Sequence, residues 1–167
     1  MITIPLYEPS EIAKEQLDLS IDFITEIREW CEQASSTFDH VDRSHKYFGE
    51  HQDALYFHDE VSIAIDNATG YRPTHYWMQF YEWNDHMSAH THRDEGNQIV
   101  RSGILFLDDI GVTTFICDPG PDLRENTIIA SEPGMVVTFP RDMLHYVIPH
   151  CVIGKMRYTL PFNCVVK

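Results

Sequence analysis

The segment from Glu82 to Asp94, E-W-N-D-H-M-S-A-H-T-H-R-D, gathers His86, His90, His92, Asp85 and Asp94 directly behind a strand-like run, Tyr76 to Trp83. Within it, His92-Arg93-Asp94 reads H-x-D. Such a pair, joined by a distant histidine, makes the two-histidine, one-carboxylate face that holds non-haem Fe(II) and leaves coordination positions open. Residues two apart on an extended chain point to the same side, which suits adjacent coordination positions. The pattern alone carries little weight, because ten histidines and twenty-six acids in 167 residues give roughly one or two His-x-acid pairs by random placement. His40-Val41-Asp42 and His58-Asp59-Glu60 are two such pairs. Context has to single out His92 and Asp94.

The third ligand must come from elsewhere, and His145 is the candidate. It follows Phe139-Pro140 on the strand-like run Leu144 to Ile148, whereas His150 lies past Pro149 in turn-like sequence. His90 is a rival to Asp94, since His90-Thr91-His92 could supply two ligands and leave Asp94 behind them as a hydrogen-bonding support. Beyond His145 comes Arg157, with Thr159 two positions further on, so both project from one face of the last strand. The planar guanidinium binds a carboxylate through two parallel hydrogen bonds and a neighbouring hydroxyl donates another, which points to an anionic ligand. Met156, Tyr158, Leu160 and Phe162 are expected to face the opposite layer. A charge on so apolar a strand is costly unless paired, so Arg157 needs a partner.

Several elements have to position these groups. Met1 to Leu6 reads as a short edge strand, stopped by Pro5 and Pro9. From Ser10 to Ala34 the residues Ile12, Leu17, Ile21, Ile24, Ile27, Cys31 and Ala34 recur mostly three or four apart, which predicts a helix buttressing a sheet, with a break near Asp18 to Ser20. Thr37 to Phe57 is polar, reads as an irregular surface loop with one short strand at Ala54 to Phe57, and is the expected substrate lid. His40, His45, His51 and His58 are read there as solvated. Asp59 to Gly70 fits either a helix capped by Asp59 or a strand on the alternation of Val61, Ile63 and Ile65.

From Tyr71 the character changes. Tyr76–Trp83, Val100–Leu107, Thr113–Cys117, Met135–Phe139, Leu144–Ile148 and Met156–Val166 are short runs rich in β-branched and aromatic residues. Clusters such as Asp108-Asp109-Ile110-Gly111, Asp118-Pro119-Gly120-Pro121 and Glu132-Pro133-Gly134 separate them as turns. Repeated short strands with tight turns predict a mainly β sandwich or jelly-roll barrel of about eight strands with an N-terminal helix. Trp77, Trp83 and Phe80 are read as core.

Composition bounds the function. A chain of 167 residues is expected to be one domain that buries roughly two thirds of its unfolded surface. The formal charge of −14 is spread along the chain, which disfavours phosphate backbones and anionic membrane surfaces, so neither nucleic acid nor membrane is an expected partner. Cys31, Cys117, Cys151 and Cys164 form no C-x-x-C pair and follow no charged-then-apolar leader, which reads as a reducing, cytoplasmic setting. No apolar run approaches the length of a membrane span.

H-x-D, a distal histidine after a strand ending in F-P, and R-x-[ST] on the last strand together resemble the 2-oxoglutarate and Fe(II)-dependent oxygenase superfamily. More narrowly, His90-Thr91-His92 behind Trp83, Ser102-Gly103-Ile104-Leu105-Phe106-Leu107, Phe139-Pro140 through His145 and Val147, and Arg157-Tyr158-Thr159-Leu160-Pro161-Phe162-Asn163 resemble its small phage and bacterial members, with prolyl-4-hydroxylase-like enzymes as relatives. The resemblance spans Tyr76 to Val166. It implies a double-stranded β-helix, a cupin-like jelly-roll barrel over residues 71–167, supported by helical and irregular chain over 1–70. It also implies Fe(II) bound by His92, Asp94 and His145, and 2-oxoglutarate held at its far carboxylate by Arg157 and Thr159. Tyr81 and Ser102 are candidates to line that pocket. The implied reaction consumes O2, is helped by ascorbate, releases succinate and CO2, and hydroxylates a peptide, amino acid or other small molecule, in the host cell cytoplasm if the chain is phage-encoded. Two rivals remain: a cupin-like metal enzyme without 2-oxoglutarate, and a non-catalytic jelly-roll binding module.

Overall fold

A computed structural model describes residues 7, 9–36, 45–47, 55–92, 99–117 and 125–165. Ten strands and two helices lie among them: β1 (Ala13–Gln16), α1 (Ile21–Ser36), β2 (His45–Tyr47), α2 (His58–Thr69), β3 (Pro73–Tyr81), β4 (Met87–His90), β5 (Ile99–Phe106), β6 (Val112–Cys117), β7 (Glu125–Ala130), β8 (Met135–Pro140), β9 (His145–Val147) and β10 (Arg157–Val165). A six-stranded sheet runs β1-β8-β5-β10-β3-β2 and a four-stranded sheet runs β4-β9-β6-β7. The pairings are antiparallel. The chain is thus the expected mainly β jelly-roll, a double-stranded β-helix.

The central strands β5 and β8 of the larger sheet divide their residues between two cores. Ile104, Phe106, Met135, Val137 and Phe139 point inward and meet Phe115 of the smaller sheet, with the Phe115 and Phe139 rings 4.9 Å apart. Leu105, Leu107, Val136, Leu160 and Phe162 point outward and are covered by Ile24, Ile27 and Cys31 of α1 and by Val61 and Ile65 of α2. Because β10 sits between the two cores, Arg157–Cys164 are buried without interruption.

Several local expectations give way to pairing. The helix expected from Ser10 begins only at Ile21, where the Ser20 hydroxyl accepts the Phe23 N–H at 3.1 Å as an N-cap does. Upstream, Ala13–Gln16 is a strand with exposed side chains, recruited through its backbone along the β8 edge. The strand expected at Ala54–Phe57 falls partly outside the described residues, and Leu55–Phe57 form a turn into α2. Asp59 to Gly70 resolves as helix: Val61 and Ile65, four apart, are buried while Ile63 is exposed. Gly70, at φ 76°, ends it in the left-handed conformation, its N–H donating to Asp66 O. β4 and β7 lack a distinct strand pattern in the sequence. Trp83 is 49% exposed rather than core, and the His58 ring packs 5.5 Å from Tyr76 rather than standing in solvent. Met1 to Leu6 lie outside the described residues, as do His40 and His51.

Candidate metal centre and anion pocket

β9 lies between β4 and β6, and this places His145 at a junction. It is the direct register partner of His90 on β4 and of Phe115 on β6. The His90 and His145 rings are 4.3 Å apart, and the His92 ring is 5.2 Å from that of His145. One ligand atom from each of His90, His92 and His145 falls within 4.8 Å of the others. Trp77, Phe115 and Phe139 wall the cluster, with centroids 5.4 Å from His92, 5.7 Å from His145 and 4.7 Å from His145 respectively. The backbone holds it too: the His92 N–H donates to Arg141 O at 2.8 Å, tying the end of β4 to the turn that leads into β9.

Protonation follows from the surroundings. His145 Nδ1 lies 3.0 Å from Met143 O. A carbonyl only accepts, so Nδ1 carries the proton and Nε2 keeps its lone pair for a ligand. Burial, then the neighbouring His90 and His92, hold His145 well below the usual histidine range, against the Met143 carbonyl, which raises it. A neutral, buried imidazole with its lone pair exposed to two others is the state that binds a metal.

Of the three expected ligands, His92 and His145 meet; Asp94 lies outside the described residues. His90, weighed against Asp94 from the sequence, stands in the cluster. His150 does not. It is buried, but Nε2 donates to Tyr81 O at 3.1 Å and Nδ1 accepts the Val152 N–H at 3.3 Å, so both ring nitrogens are committed. His86 is exposed.

Arg157 and Thr159 share the inner face of β10, as the spacing predicts. Arg157 is 1% exposed. Its Nη2 donates to the Thr113 hydroxyl on β6 at 3.0 Å, and its guanidinium carbon lies 5.5 Å from the Tyr81 ring centre and 5.7 Å from that of Phe106. Nε and Nη1 of Arg157, Oγ1 of Thr159 and the Tyr81 hydroxyl are buried with no hydrogen-bond partner among the described residues. Buried polar groups are almost always satisfied, and a buried cation without an anion is expensive. Arg157 lies over the Tyr81 ring and shares a face of β10 with Thr159, so these groups offer donors that could serve an anion.

Burial pushes the Arg157 pKa down from its ordinary value, opposed by Tyr81 and Asp108, yet arginine retains its charge in proteins. Burial pushes the Tyr81 phenol up, against Arg157, so it stays a donor. The partner expected for Arg157 is therefore a hydroxyl; Asp108 acts on it only through space. The Asp108 carboxylate accepts the Tyr158 N–H at 2.7 Å and the Ile110 N–H at 3.0 Å, pinning the turn after β5 onto β10. Burial, the largest influence, raises the Asp108 pKa against those two N–H donors. Gly111, at φ 79°, closes the turn over Arg157, where a Cβ would sit 3.3 Å from Arg157 Cδ. Ser102 is placed elsewhere: its hydroxyl donates to Asn163 Oδ1 at 2.7 Å, and its register partner is Phe139.

One strand measures the separation of the two sites. On β6, Thr113 touches Arg157 and Phe115, two residues on, faces His145. Two extended residues span about 7 Å. Sequence reasoning passed over Thr113 and Phe115, although their alternation around Thr114 marks them as one face. Asp108 and Gly111 were read only as turn residues.

No family model matches the chain, and no curated protein matches it. Solved structures do. A Pseudomonas putida prolyl-4-hydroxylase superposes with a TM-score of 0.68 at 15% identity, covering 94% of this chain and 93% of that one. The non-heme alpha ketoglutarate dependent epimerase SnoN from nogalamycin biosynthesis gives 0.69 at 10% identity, covering 93% and 77%. HygX from Streptomyces hygroscopicus, solved with nickel and 2-oxoglutarate bound, gives 0.67 at 9% identity, covering 93% and 82%. The chain has the fold of these oxygenases.

Proposed function

We propose that this chain is an Fe(II)- and 2-oxoglutarate-dependent oxygenase of one domain, and that it hydroxylates a peptide, amino acid or other small molecule. The observation that carries this reading is that one strand, β6, meets both a buried, incompletely paired arginine at Thr113 and the histidine cluster at Phe115. His92 and His145 hold the ion, with Asp94 as the carboxylate that the sequence offers. Arg157 takes the far carboxylate of 2-oxoglutarate on Nε and Nη1, with Thr159 and Tyr81 as flanking donors. When bound, the ion and co-substrate supply an O2-dependent oxidative decarboxylation that yields succinate and CO2.

The chain's own residues bind, orient and exclude water. Met143 O fixes the His145 tautomer; Trp77, Phe115 and Phe139 pack around the buried His92 and His145; Thr113 and the Gly111 turn hold the guanidinium in place. A metal enzyme on the same barrel without 2-oxoglutarate gives Arg157 nothing to bind, and a purely structural module leaves its unpaired N–H groups unexplained. No described helix is long and apolar enough to cross a membrane, and the charge of −14 favours a neutral or basic substrate over a nucleic acid. We place the reaction in the cytoplasm.

The test is succinate formation from 2-oxoglutarate under air with Fe(II) and ascorbate, comparing the chain with His145→Ala and Arg157→Met. Succinate from the parent and none from either variant is expected. Absence of both succinate and 2-oxoglutarate binding in the parent overturns the reading.

A further inference from the structure

The fold concentrates negative charge on one layer. Residues 9–36 and 58–69, which include β1, α1 and α2, hold ten carboxylates and two basic side chains, −8 of the chain's −14. α1 and α2 cover the outer core, whereas the histidine cluster lies on the inner side of the same sheet, beside Trp77. We infer that this helical layer docks a basic segment of a partner protein, and that a cleft between Trp30 and Tyr56, rimmed by Glu26 and Glu29, takes one of its lysine or arginine side chains. Docking there is independent of the metal chemistry.

The cleft follows from the spacing of residues on α1. Ile24, Ile27 and Cys31 turn to the sheet and are buried, which leaves Glu26, Glu29, Trp30 and Gln33, three or four apart, along one flank. Together with Tyr56, from the turn before α2, they line a cleft of about 180 Å³. Three rings hold Tyr56 edge to face, with centroids 6.4 Å away for Phe23, 6.3 Å for Trp30 and 5.3 Å for Phe57. Even so, Tyr56 is 50% exposed. An aromatic ring already fixed by its neighbours loses little further freedom when a ligand arrives.

Aromatic faces attract cations through the ring quadrupole. The Trp30 and Tyr56 rings, at 68° to one another, form two walls of such a site, and the carboxylates supply its charge. Glu26 and Glu29 have no ion pair among the described residues. Arg28, the one basic residue of α1, is committed elsewhere: it pairs with Glu32 at 3.1 Å, and its guanidinium carbon lies 5.3 Å from the Tyr158 ring centre. Partial burial and then the Glu26 carboxylate push the Tyr56 phenol up to about 12, so the field of Glu26 reaches this ring. A second cleft, between β1 and α2, sets Glu15, Asp18 and Glu60 around Leu19, Ile63 and Ala64, and the acidic character continues across the layer. A segment with several basic residues gains more from such a field than a lone cation does. A second copy of this chain, equally acidic, is repelled.

The experiment titrates the isotope-labelled full chain at low salt with an end-blocked peptide of Gly-Lys repeats and, separately, with the same peptide acetylated on every lysine. NMR follows the Trp30 indole N–H and the amides of α1. The basic peptide should shift these resonances, with an affinity that falls as salt rises, and the acetylated one should not. Replacing both carboxylates, Glu26→Gln with Glu29→Gln, should weaken binding about fivefold, and Trp30→Leu about threefold, the scale of exposed ion pairs and cation–π contacts. Glu132→Gln with Asp109→Asn, the same charge change at exposed residues of the barrel's turns, should stay within about twofold of the parent. If Trp30→Leu does not fold, Tyr56→Leu takes its place. An equal response to the acetylated peptide, an equal loss in the Glu132 and Asp109 variant, or no binding by the parent overturns the inference. Tetramethylammonium binding as tightly as the basic peptide assigns the cleft to a small cation and overturns the docking of a segment.

Discussion

Arg157 on β10 and Thr113 on β6 are joined by one hydrogen bond of 3.0 Å that crosses from the six-stranded sheet to the four-stranded one. Thr113 takes one N–H of Nη2, and Nε and Nη1 are buried without a partner among the described residues. Arg157→Met should weaken 2-oxoglutarate binding by about 100-fold or more, the about 3 kcal/mol that follows loss of a buried charged partner. Thr113→Val removes one bond to a charged group and should cost about tenfold. Calorimetric titration of 2-oxoglutarate into the Co(II)-loaded protein measures both. A Thr113→Val affinity equal to the parent's would show that this bond does not orient the arginine.

Tyr81 carries a buried hydroxyl on a ring that packs beside Arg157. Its hydroxyl is buried without a partner among the described residues, so Tyr81→Phe should leave the melting temperature unchanged or slightly raised. The same change should weaken 2-oxoglutarate several-fold. Burial raises the phenol above its ordinary pKa of 10.0; a raised folded-state value means that the proton stays on as pH rises through the ordinary range. Affinity should then show no loss assignable to Tyr81 up to about pH 10. A tyrosine-dependent fall between pH 9 and 10, absent in Tyr81→Phe, would contradict this.

Gly103 marks a tight approach in the larger sheet. A Cβ there would overlap the Phe162 ring and come 2.8 Å from Val137 O, and a backbone oxygen within a paired strand cannot move aside. Gly103→Ala should destabilise the fold by about 1–3 kcal/mol, the usual cost of overpacking. Chemical denaturation tests this through a lower midpoint at unchanged slope.

Cysteine reactivity should separate by burial. Cys31 and Cys164 are buried, and burial pushes both thiols up to about 12; Cys151 is exposed. Because the thiolate is the nucleophile, a raised pKa leaves Cys31 and Cys164 protonated and inert at pH 8. Peptide mass spectrometry after iodoacetamide treatment of the folded protein should find Cys151 alkylated and Cys31 and Cys164 protected until denaturant is added. Early labelling of Cys31 would mean that α1 opens from the sheet.

Much of the barrel was legible because burial on alternate residues is written in the order of the chain. Six of the ten strands follow from β-branched and aromatic runs between turn clusters, and Arg157 and Thr159 share a face because their spacing is two. β1 and β4 were illegible for the opposite reason. Their side chains are exposed or half-buried, and both are strands because a neighbouring edge pairs with their backbone. The 59–70 segment carried both periods at once, and the packing of α2 against the outer core chose the helical one.

The sequence by itself determined which side chains could do chemistry: the H-T-H-R-D cluster, His145 behind F-P, and an arginine with a threonine two residues on. Only the tertiary structure decided which of them are neighbours. His90 meets His145 because β4 pairs with β9 in one register, and a slip of one residue would turn His90 to the other face. Thr113 reaches Arg157 because two sheets pack face to face, across 44 residues of chain. Register and sheet packing are set by the sum of contacts over the whole fold, and no local spacing encodes them.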